Sequence, residues 1–212
     1  MENTYKLLTQ YILEWNEKIN VTAIKDPEEF YLKNVKDSLT ICGRPEIESA
    51  KTVLDVGTGG GFPGLPLAIA YPDKKFVLLD SVEKKLKVVE DVAKRLGLKN
   101  VEVIHSRVED YVSRETFDLV VSRAVANMST LSEYCLPFAR IGGFFVAYKT
   151  KDAIPEIEAA KNAIAILGGG PYKIEENGQD EDQHIFVVIP KLKETPKKYP
   201  RKAGIPTKTP LK

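Results

Sequence analysis

The sequence is poor in the residues that bind metals or form disulfides. Its 212 residues include two cysteines, Cys42 and Cys135, and two histidines, His105 and His184. No two of these four form a C-x-x-C pair or another zinc-ligand spacing, so we expect no metal site. Two distant cysteines argue against a disulfide framework and are typical of a reducing compartment.

Long apolar runs are absent too. No stretch approaches the length of about 20 residues that a membrane-spanning helix needs. The first residues, MENTYKLLTQ, lack the basic and then apolar pattern of a secretion signal. The apolar fraction of 43% and the charged fraction of 29% are ordinary for a globular protein. We therefore expect a cytoplasmic protein that does not bind membranes.

Glycine is concentrated in one segment, VLDVGTGGGFPG, which spans residues 53–64. An apolar, strand-like run comes first, and glycines follow at alternate positions, Gly57, Gly59 and Gly61. Because glycine adopts positive φ and has no Cβ, such a loop turns a strand tightly into a helix and lets a ligand approach the backbone. A second apolar run, KFVLLD, ends in Asp80, where a carboxylate can accept the two hydroxyls of a ribose. The loop and the carboxylate together predict a nucleoside cofactor.

The residues after the glycines indicate which cofactor this is. The nicotinamide fingerprint GxGxxG has its third glycine where this sequence has Phe62, and Pro63 follows. A proline suits the first turn of a helix, but it tilts the loop away from the geometry that cradles a pyrophosphate. S-adenosylmethionine has no phosphate, and a GxGxG loop preceded by Asp55 suits it better. The alternative is a tight strand–helix turn without a ligand, which the placement of Asp80 disfavours.

The order of the predicted elements indicates the fold class. Apolar periodicity predicts helices over residues 4–20 and 27–43. Further strands are predicted at 52–56, 75–80, 101–105, 117–121, 143–148, 171–176 and 184–189, and further helices at 63–71, 82–96, 108–112, 129–139 and 154–167. Alternation of strands and helices predicts an α/β fold with a doubly wound, mostly parallel sheet. The last two strands, joined by the turn NGQDEDQ, add an antiparallel edge hairpin.

We divide the chain into three parts on this basis. They are a small N-terminal helical extension at 1–50, an α/β domain at 51–190 and a basic, proline-rich tail at 191–212. The tail has eight lysines and arginines and one glutamate, so it carries +7, whereas the rest of the chain carries −6. Prolines within the tail predict an extended segment, and its charge predicts docking on a polyanion. A disordered tail that only aids solubility is the alternative.

Polar residues follow the third and fourth predicted strands, at the edge where open α/β sheets bind ligands. The amide of Val108 and the carboxylate of Glu109 can contact the edge of an adenine. Glu109 can equally be an acidic residue that stabilises a helix N-terminus. Arg123 can pair with a carboxylate or stack on a base, and its alternative is a surface ion pair of little energetic value.

Several of these segments resemble a known family. The strings YILEWNEKINVTAI, LDVGTGGGFPGLPLAI, LLDS, SRVED, VSRAVA, HIFVVI and TPKKYPRKAGIPTKTPL occur in this order. They are similar to the RsmG family, whose older name is GidB, of 16S ribosomal RNA guanine-N7 methyltransferases. The resemblance covers nearly the whole chain. It implies a class I S-adenosylmethionine-dependent methyltransferase fold, Rossmann-like, that modifies a guanine in a functional loop of small-subunit rRNA.

The resemblance also implies site residues. Cofactor contacts carried over from it fall at Gly57, Phe62, Asp80, Ser81, Val108, Glu109 and Arg123. To these we add Gly59 and Gly61 from the loop itself. Two positions depart from the family pattern: Lys33 and Asn34 stand where Arg-His is frequent, and Thr150 stands after Lys149 in place of a glycine. No role for that histidine therefore carries over to this chain.

The expected chemistry agrees with what the sequence lacks. Guanine N7 has a lone pair and no proton to remove, so methylation there needs positioning and desolvation but no general base. The Asn-Pro-Pro-Tyr motif of amine methylation is absent, and Cys135 falls in a predicted helix as a core residue. On the RNA side we expect Arg123, Lys149 and Asp37 at the reacting base, and Lys197, Lys198, Arg201 and Lys202 on phosphates.

The expected partner is small-subunit rRNA, either free or assembled into the 30S particle, and we expect the protein to be a monomer. Three other functions remain as alternatives. A nicotinamide oxidoreductase is disfavoured by the Phe62–Pro63 pair, and a non-catalytic RNA-binding factor by the intact glycine loop and Asp80. A methyltransferase for small molecules would leave the basic tail without a use.

Overall fold

The structure, a computed structural model, describes residues 2–123, 125–177 and 184–212. The chain forms two compact units, Met1–His105 and Ser106–Lys212. The predicted boundaries at residues 50 and 190 do not coincide with the division between these units. The helical extension and the glycine loop belong to the first unit, and the basic tail belongs to the second.

The first unit begins with helices, as the periodicity predicts. They are α1 (Glu2–Asn16), α2 (Pro27–Phe30) and α3 (Pro45–Glu48). α1 buries Leu8 and Ile12 completely on one face, because apolar residues recur there at helical spacing. Near its C-terminus, Trp15 donates an indole hydrogen bond of 2.8 Å to Asp91, which anchors the helix to the rest of the unit.

The second predicted helix is irregular beyond its first turn. It starts at the predicted cap, where the Asp26 carboxylate accepts a hydrogen bond of 2.8 Å from the Glu29 amide. It then continues through a π-helical turn, Tyr31–Lys36, and ends in a 3₁₀ turn, Leu39–Ile41. The sequence predicts a helix over 27–43, and the helical segment is confirmed although its winding is not uniform.

Three parallel strands complete the first unit. The elements are β1 (Thr52–Val56), α4 (Gly64–Ala70), β2 (Lys75–Asp80), α5 (Glu83–Arg95) and β3 (Val101–His105). β2 pairs with β1 on one side and with β3 on the other. The predicted bounds of all three strands are confirmed. This arrangement places the carboxyl end of β1 beside that of β2, so the glycine loop and Asp80 are neighbours.

The second unit carries the antiparallel edge. Its elements are β4 (Phe117–Arg123), α6 (Met128–Cys135), β5 (Ala139–Thr150), α7 (Ile154–Ala159), α8 (Lys161–Ile166), β6 (Lys173–Glu176), β7 (His184–Pro190) and α9 (Ile205–Lys208). β4 and β5 are parallel, whereas β7 is antiparallel to both β5 and β6. The strand order is β3-β2-β1 in the first unit and β4-β5-β7-β6 in the second. The predicted fold class is confirmed, and the turn predicted at 177–183 lies outside the described residues from 178 onward.

Some predicted bounds in the second unit are wrong. The helix predicted over 129–139 ends at Cys135, because Pro137 cannot donate to a helical hydrogen bond and restricts the residue before it. β5 starts four residues earlier than predicted, and its pairing with β4 shifts register between Phe117 and Leu119. The single helix predicted over 154–167 is two helices that meet at Ala160.

The tail differs most from its prediction. It does not run extended over its whole length, because residues 205–208 form α9. Pro206 lies in the first turn of α9, where its missing N–H removes no helical hydrogen bond, so proline there does not prevent a helix. Buried tail residues tie the segment to the second unit: they are Lys191, Thr195, Tyr199 and Pro206. The tail is therefore a packed part of that unit.

Candidate functional site

The glycine loop leaves β1 through three residues in the left-handed region. φ is 72° at Gly57, 57° at Gly59 and 96° at Gly61, and L-residues with a side chain rarely adopt such values. The amides of Gly57 and Thr58 both donate to the carbonyl of Leu79, at 2.8 and 3.0 Å. The loop is thus tied at its start to the end of β2.

A buried carboxylate fixes the loop from within. One oxygen of Asp55 accepts the Thr58 hydroxyl at 2.7 Å and the Gly64 amide at 2.9 Å, which closes the loop onto the start of α4. Asp55 is fully buried. Sequence reasoning treated this residue only as the acidic position before the glycines and missed its contact with Thr58. The D-x-x-T spacing, an acceptor three residues before a hydroxyl, was the available signal.

Asp80 connects the loop to β2 and faces partly outward. One of its oxygens accepts the Gly59 amide at 2.8 Å, and the other accepts the Val82 amide at 2.8 Å. A carboxylate has about four acceptor positions, and the half-buried Asp80 uses two of them for these bonds. Asp80 therefore shapes the loop and also keeps acceptor capacity for a ligand. The exposed Ser81 follows it directly.

The space around each glycine tests whether a ligand fits the loop. A Cβ added at Gly61 would come within 2.4 Å of Leu65, and one at Gly64 within 2.0 Å of Leu78, so close packing requires glycine there. A Cβ added at Gly59 would meet no atom of its surroundings within 4 Å. The loop is therefore open at the residue that bonds to Asp80. S-adenosylmethionine needs backbone that a ligand can approach and a carboxylate beside it, and these residues fit that group.

Phe62 has a different environment from the glycines. Its ring is buried and packs edge-on against Phe30 of α2, with 5.5 Å between the ring centroids. The side chain thus joins the loop to the helical extension. Whether it also contacts a cofactor stays a prediction from the family resemblance.

Asp37 lies in the same unit but is not exposed. It follows the π-helical turn, its side chain is buried, and its carbonyl accepts the Thr40 hydroxyl at 2.6 Å. The structure thus brings Gly57, Gly59, Gly61 and Asp80 together at one loop, with Ser81 beside them. The predicted role of Asp37 at the RNA base stays a prediction.

The remaining predicted cofactor residues lie in the second unit. Val108 and Glu109 are half-buried in the 3₁₀ turn Val108–Asp110, and Arg123 is the half-buried last residue of β4. Tyr134 of α6 interacts with Glu109. Burial is the main cause that raises the pKa of Tyr134, and the Glu109 carboxylate is a smaller cause.

Lys149 is held firmly near the end of β5. Its ammonium donates to the carbonyl of Ala126 at 2.7 Å and forms an ion pair of 2.6 Å with Glu156. The Lys149 side chain is 11% exposed. Its charge is therefore balanced within the protein, and its position is fixed.

Arg201 of the tail is bonded to the body of the second unit. Its guanidinium forms a bidentate pair with Glu133 of α6, with 2.9 Å from Nε to Oε1 and 2.6 Å from Nη2 to Oε2. Its amide donates to the same carboxylate at 2.8 Å, and the Glu133 side chain is completely buried. Hydrogen bonding with Glu133 raises the pKa of Arg201 further. Sequence reasoning assigned this arginine to RNA phosphate and did not foresee the contact with Glu133.

The lysines of the tail are placed differently from Arg201. Lys197, Lys198 and Lys202 are exposed, and the ammonium of Lys198 lies 5.2 Å from the centre of the Tyr199 ring. Because Tyr199 is buried, it fixes the backbone from which these lysines extend. A cationic surface on a fixed backbone is suited to phosphate contacts.

Metal-ligand clusters and membrane-spanning helices are both absent from the described parts of the chain. Over residues 2–123, 125–177 and 184–212, no three His, Cys, Asp or Glu side chains group as metal ligands. Within the same ranges no helix has the length and apolar character to cross a membrane.

Comparison with known proteins identifies relatives over the whole chain. The model of the GidB family, described as rRNA small subunit methyltransferase G, matches residues 1–186. A ribosomal RNA small subunit methyltransferase G of Clostridium botulinum (strain Eklund 17B / Type B) is 49% identical over 214 residues, which cover 98% of this chain and 88% of that protein. The protein of the same name from Clostridium novyi is 45% identical over 219 residues, covering 99% and 90%.

Solved structures are similar in fold at low identity. The S-adenosylmethionine-dependent methyltransferase SibL, in its apo form, superposes with a TM-score of 0.62 at 15% identity. The match covers 81% of this chain and 60% of that one. This similarity supports the α/β fold described above.

Proposed function

The chain belongs to the GidB family, rRNA small subunit methyltransferase G, and from this membership we propose that it transfers a methyl group from S-adenosylmethionine to N7 of one guanine in 16S rRNA. The assignment of the cofactor rests mainly on one observation at the site. The amide of Gly59 donates to Asp80 at the place where the loop is open. A ligand there meets bare backbone and a carboxylate at once.

The residues of the loop act by position. Asp55 and Thr58 hold the left-handed backbone of the loop in place before a ligand binds. The loop therefore loses less conformational entropy on binding. Asp80 accepts the ribose hydroxyls with the lone pairs that Gly59 and Val82 leave available. A charge-assisted hydrogen bond of this kind contributes about 1.5–3 kcal/mol.

Methylation at N7 makes few chemical demands on the protein. S-adenosylmethionine held by the glycine loop and Asp80 would supply a methyl carbon on a sulfonium. The lone pair of N7 would form the new bond to that carbon, and the electron pair of the broken carbon–sulfur bond would stay on sulfur. No proton leaves the base, so no side chain has to act as a general base. The task of the protein is to hold the base in line and to exclude water. The target guanine must be unstacked or single-stranded to be reached.

We assign the contacts with RNA to residues of the second unit and add one positioning residue from the first. Arg123 at the end of β4 is proposed to contact the guanine, and the exposed Lys197, Lys198 and Lys202 to contact phosphates. Lys149, paired with Glu156, and the buried Asp37 of the first unit are proposed as positioning residues. We leave Arg201 out of the RNA contacts because Glu133 already accepts its guanidinium.

A transfer assay tests the proposed function. The protein is incubated with methyl-labelled S-adenosylmethionine and either free 16S rRNA or 30S particles that lack the modification, and the labelled nucleoside is identified by mass spectrometry. The expected product is N7-methylguanosine at one position. Label at an exocyclic amine, at a ribose or nowhere would overturn the proposal. The two substrates also decide between free and assembled rRNA, and light scattering of the protein tests the proposed monomer.

Asp80→Ala tests the binding assignment separately. S-adenosylhomocysteine should bind the wild-type protein, and the variant should lose most of that affinity while remaining folded. Asp73→Ala is the matched control, because Asp73 is an exposed aspartate of the same unit, ahead of β2. Stabilisation of the wild-type protein by NAD in a thermal shift assay, with none by S-adenosylhomocysteine, would favour an oxidoreductase instead.

A further inference from the structure

The segment between α1 and α2 is irregular but closely held. Residues 17–24, which we name the strap, have no regular secondary structure. The side-chain oxygen of Asn16, the last residue of α1, accepts the amides of Val21 at 2.8 Å and of Thr22 at 2.9 Å. The Thr22 hydroxyl in turn accepts the Ile24 amide at 3.1 Å. One carboxamide at the helix end therefore fixes the middle of the strap.

The start of the strap is anchored to the helix that follows Asp80 in the chain. Trp15 donates its indole N–H to Asp91 of α5 at 2.8 Å. The carbonyl of Trp15 accepts the amides of Lys18 and Ile19, at 2.9 and 3.0 Å. The first residues of the strap are therefore bonded to a residue whose side chain is fixed on α5.

Val21 of the strap contacts the glycine loop at one point. A Cβ added at Gly60 would lie 2.8 Å from Cγ1 of Val21, while the next nearest atoms, in the Phe62 ring, are 3.8 and 3.9 Å away. Gly60 is not among the glycines with positive φ, so its backbone alone would accept alanine. Residue 60 must therefore be glycine because a Cβ there would collide with Val21.

We propose that the strap is the outer support of the glycine loop, and that Asn16 and Val21 are positioning residues for binding S-adenosylmethionine. The inference rests on the proposed function for the identity of the cofactor. Asp55 and Asp80 hold the loop from within, and Val21 holds it from outside, next to the open Gly59. A loop with three left-handed glycines is entropically costly to order, so support on both sides raises affinity by ordering it in advance.

A double-mutant cycle on residues 21 and 60 tests the contact. Gly60→Ala in the wild-type background should weaken S-adenosylhomocysteine binding about ten-fold, or about 1.4 kcal/mol, because the new methyl group displaces Val21 or the loop. In the Val21→Ala background the colliding Cγ1 is absent, so the same change should cost less than about two-fold. An equal cost in both backgrounds would refute the proposed support.

Variants of Asn16 test the hydrogen bonds that place the strap. Asn16→Ala removes the acceptor of two amides and should raise KM for S-adenosylmethionine several-fold, with kcat at saturating cofactor unchanged. Asn16→Asp keeps an oxygen in that place and should restore KM. Asn20→Ala, at an exposed residue of the strap, is the matched control. An unchanged KM in Asn16→Ala, or an Asn16→Asp variant as impaired as Asn16→Ala, would contradict the assignment.

The outcomes separate this inference from the proposed function. A wild-type protein that binds no S-adenosylhomocysteine overturns the proposed function itself. A wild-type protein that binds, combined with an additive cycle at residues 21 and 60, overturns only the role of the strap. If Asn16→Ala does not fold, the cycle alone decides.

Discussion

The glycine loop and the basic tail are both held by carboxylates, but the two carboxylates have different environments. In the loop, Asp80 accepts two backbone amides, is half-buried and keeps acceptor positions. For the tail, Glu133 of α6 accepts the amide and the bidentate guanidinium of Arg201, and its side chain has no exposed surface. The Glu133 carboxylate has its acceptor positions filled, so it can only hold the chain. The Asp80 carboxylate can hold the chain and also bind a ligand.

This difference separates structural charge from functional charge. The tail has the highest density of positive charge in the sequence, but its arginine at 201 serves the packing of the second unit. Its lysines at 197 and 198 are exposed to solvent, and we propose them as contacts to a partner. A charged residue in a loop or tail therefore indicates binding when no ion pair or hydrogen bond within the protein fully occupies its charged group.

Arg201→Ala should have the largest effect on stability. Removing the guanidinium leaves the buried Glu133 carboxylate without its partner, and breaking a buried ion pair in this way costs about 3–5 kcal/mol. We expect the lower end, about 3 kcal/mol, because the Arg201 side chain is 23% exposed. Urea unfolding measures the change. Lys202→Ala, at an exposed neighbour, is the control, and equal stability of the two variants would show that the pair does not hold the tail.

Thr58→Val should be the next largest change, and it acts on the loop. The variant keeps the shape of the side chain but removes the hydroxyl that the buried Asp55 accepts, which costs about 1–3 kcal/mol. Binding of S-adenosylhomocysteine should weaken as well, because the loop then loses one of the hydrogen bonds by which Asp55 closes it. Thr58→Ser retains the hydroxyl and should behave as wild type. A Thr58→Val variant with unaltered affinity would mean that the internal closure does not prepare the loop.

Lys191 should make the free energy of unfolding depend on pH. Its side chain is completely buried, its ammonium donates to the Leu136 carbonyl at 2.7 Å, and burial lowers its pKa to about 8, against the opposing effect of Glu115. Its pKa in the unfolded chain is about 10.4. Between these values the unfolded chain binds a proton that the folded protein does not, so stability should rise with pH, by at most about 1.4 kcal/mol per unit.

Urea unfolding between pH 7.5 and 10 measures this effect. The free energy of unfolding is compared between wild type and a variant that lacks the Lys191 ammonium. The free energy of unfolding of wild type should rise relative to that of Lys191→Met through this window. Lys193→Met, at an exposed neighbour, should run parallel to wild type. A constant difference between wild type and Lys191→Met would show that Lys191 does not lose its proton on folding.

The exposed lysines should change binding without changing stability. A triple variant, Lys197→Gln, Lys198→Gln and Lys202→Gln, should unfold as wild type does, because none of these side chains is buried. Its affinity for 30S particles should fall, and its log–log salt slope should flatten by about 0.7 for each phosphate that the lysines no longer neutralise. Substitution is preferable to deletion of the tail, which would expose the core that Thr195 and Tyr199 help to bury. An unchanged slope would support a tail that only aids solubility.

The sequence predicted the strands around the loop well because their determinants are local. The strands at 52–56, 75–80 and 101–105 are short apolar runs between turn residues, and their bounds are confirmed. The carboxylates that shape the loop, Asp55 and Asp80, lie three and 21 positions from Thr58 and Gly59, the residues they bind. Such short separations leave a pattern that can be read in one sequence.

The packing of the tail could not be predicted in this way. Arg201 and Glu133 are 68 positions apart, and Thr195 and Glu115, whose carboxylate accepts the Thr195 amide at 2.7 Å, are 80 apart. Composition alone does not reveal which carboxylate meets which cation over such distances. The same limit applies to the strap, because nothing in its sequence states that Val21 will lie against Gly60.

The separation of roles between loop and tail can be measured directly by steady-state methyl transfer. The assay compares wild type, Asp80→Asn and the triple lysine variant, with KM determined for S-adenosylmethionine and for 30S particles. We expect Asp80→Asn to raise KM for the cofactor and leave KM for the particle unchanged, and the triple variant to do the reverse. A triple variant that raises KM for the cofactor, or that alters neither KM, would contradict the account.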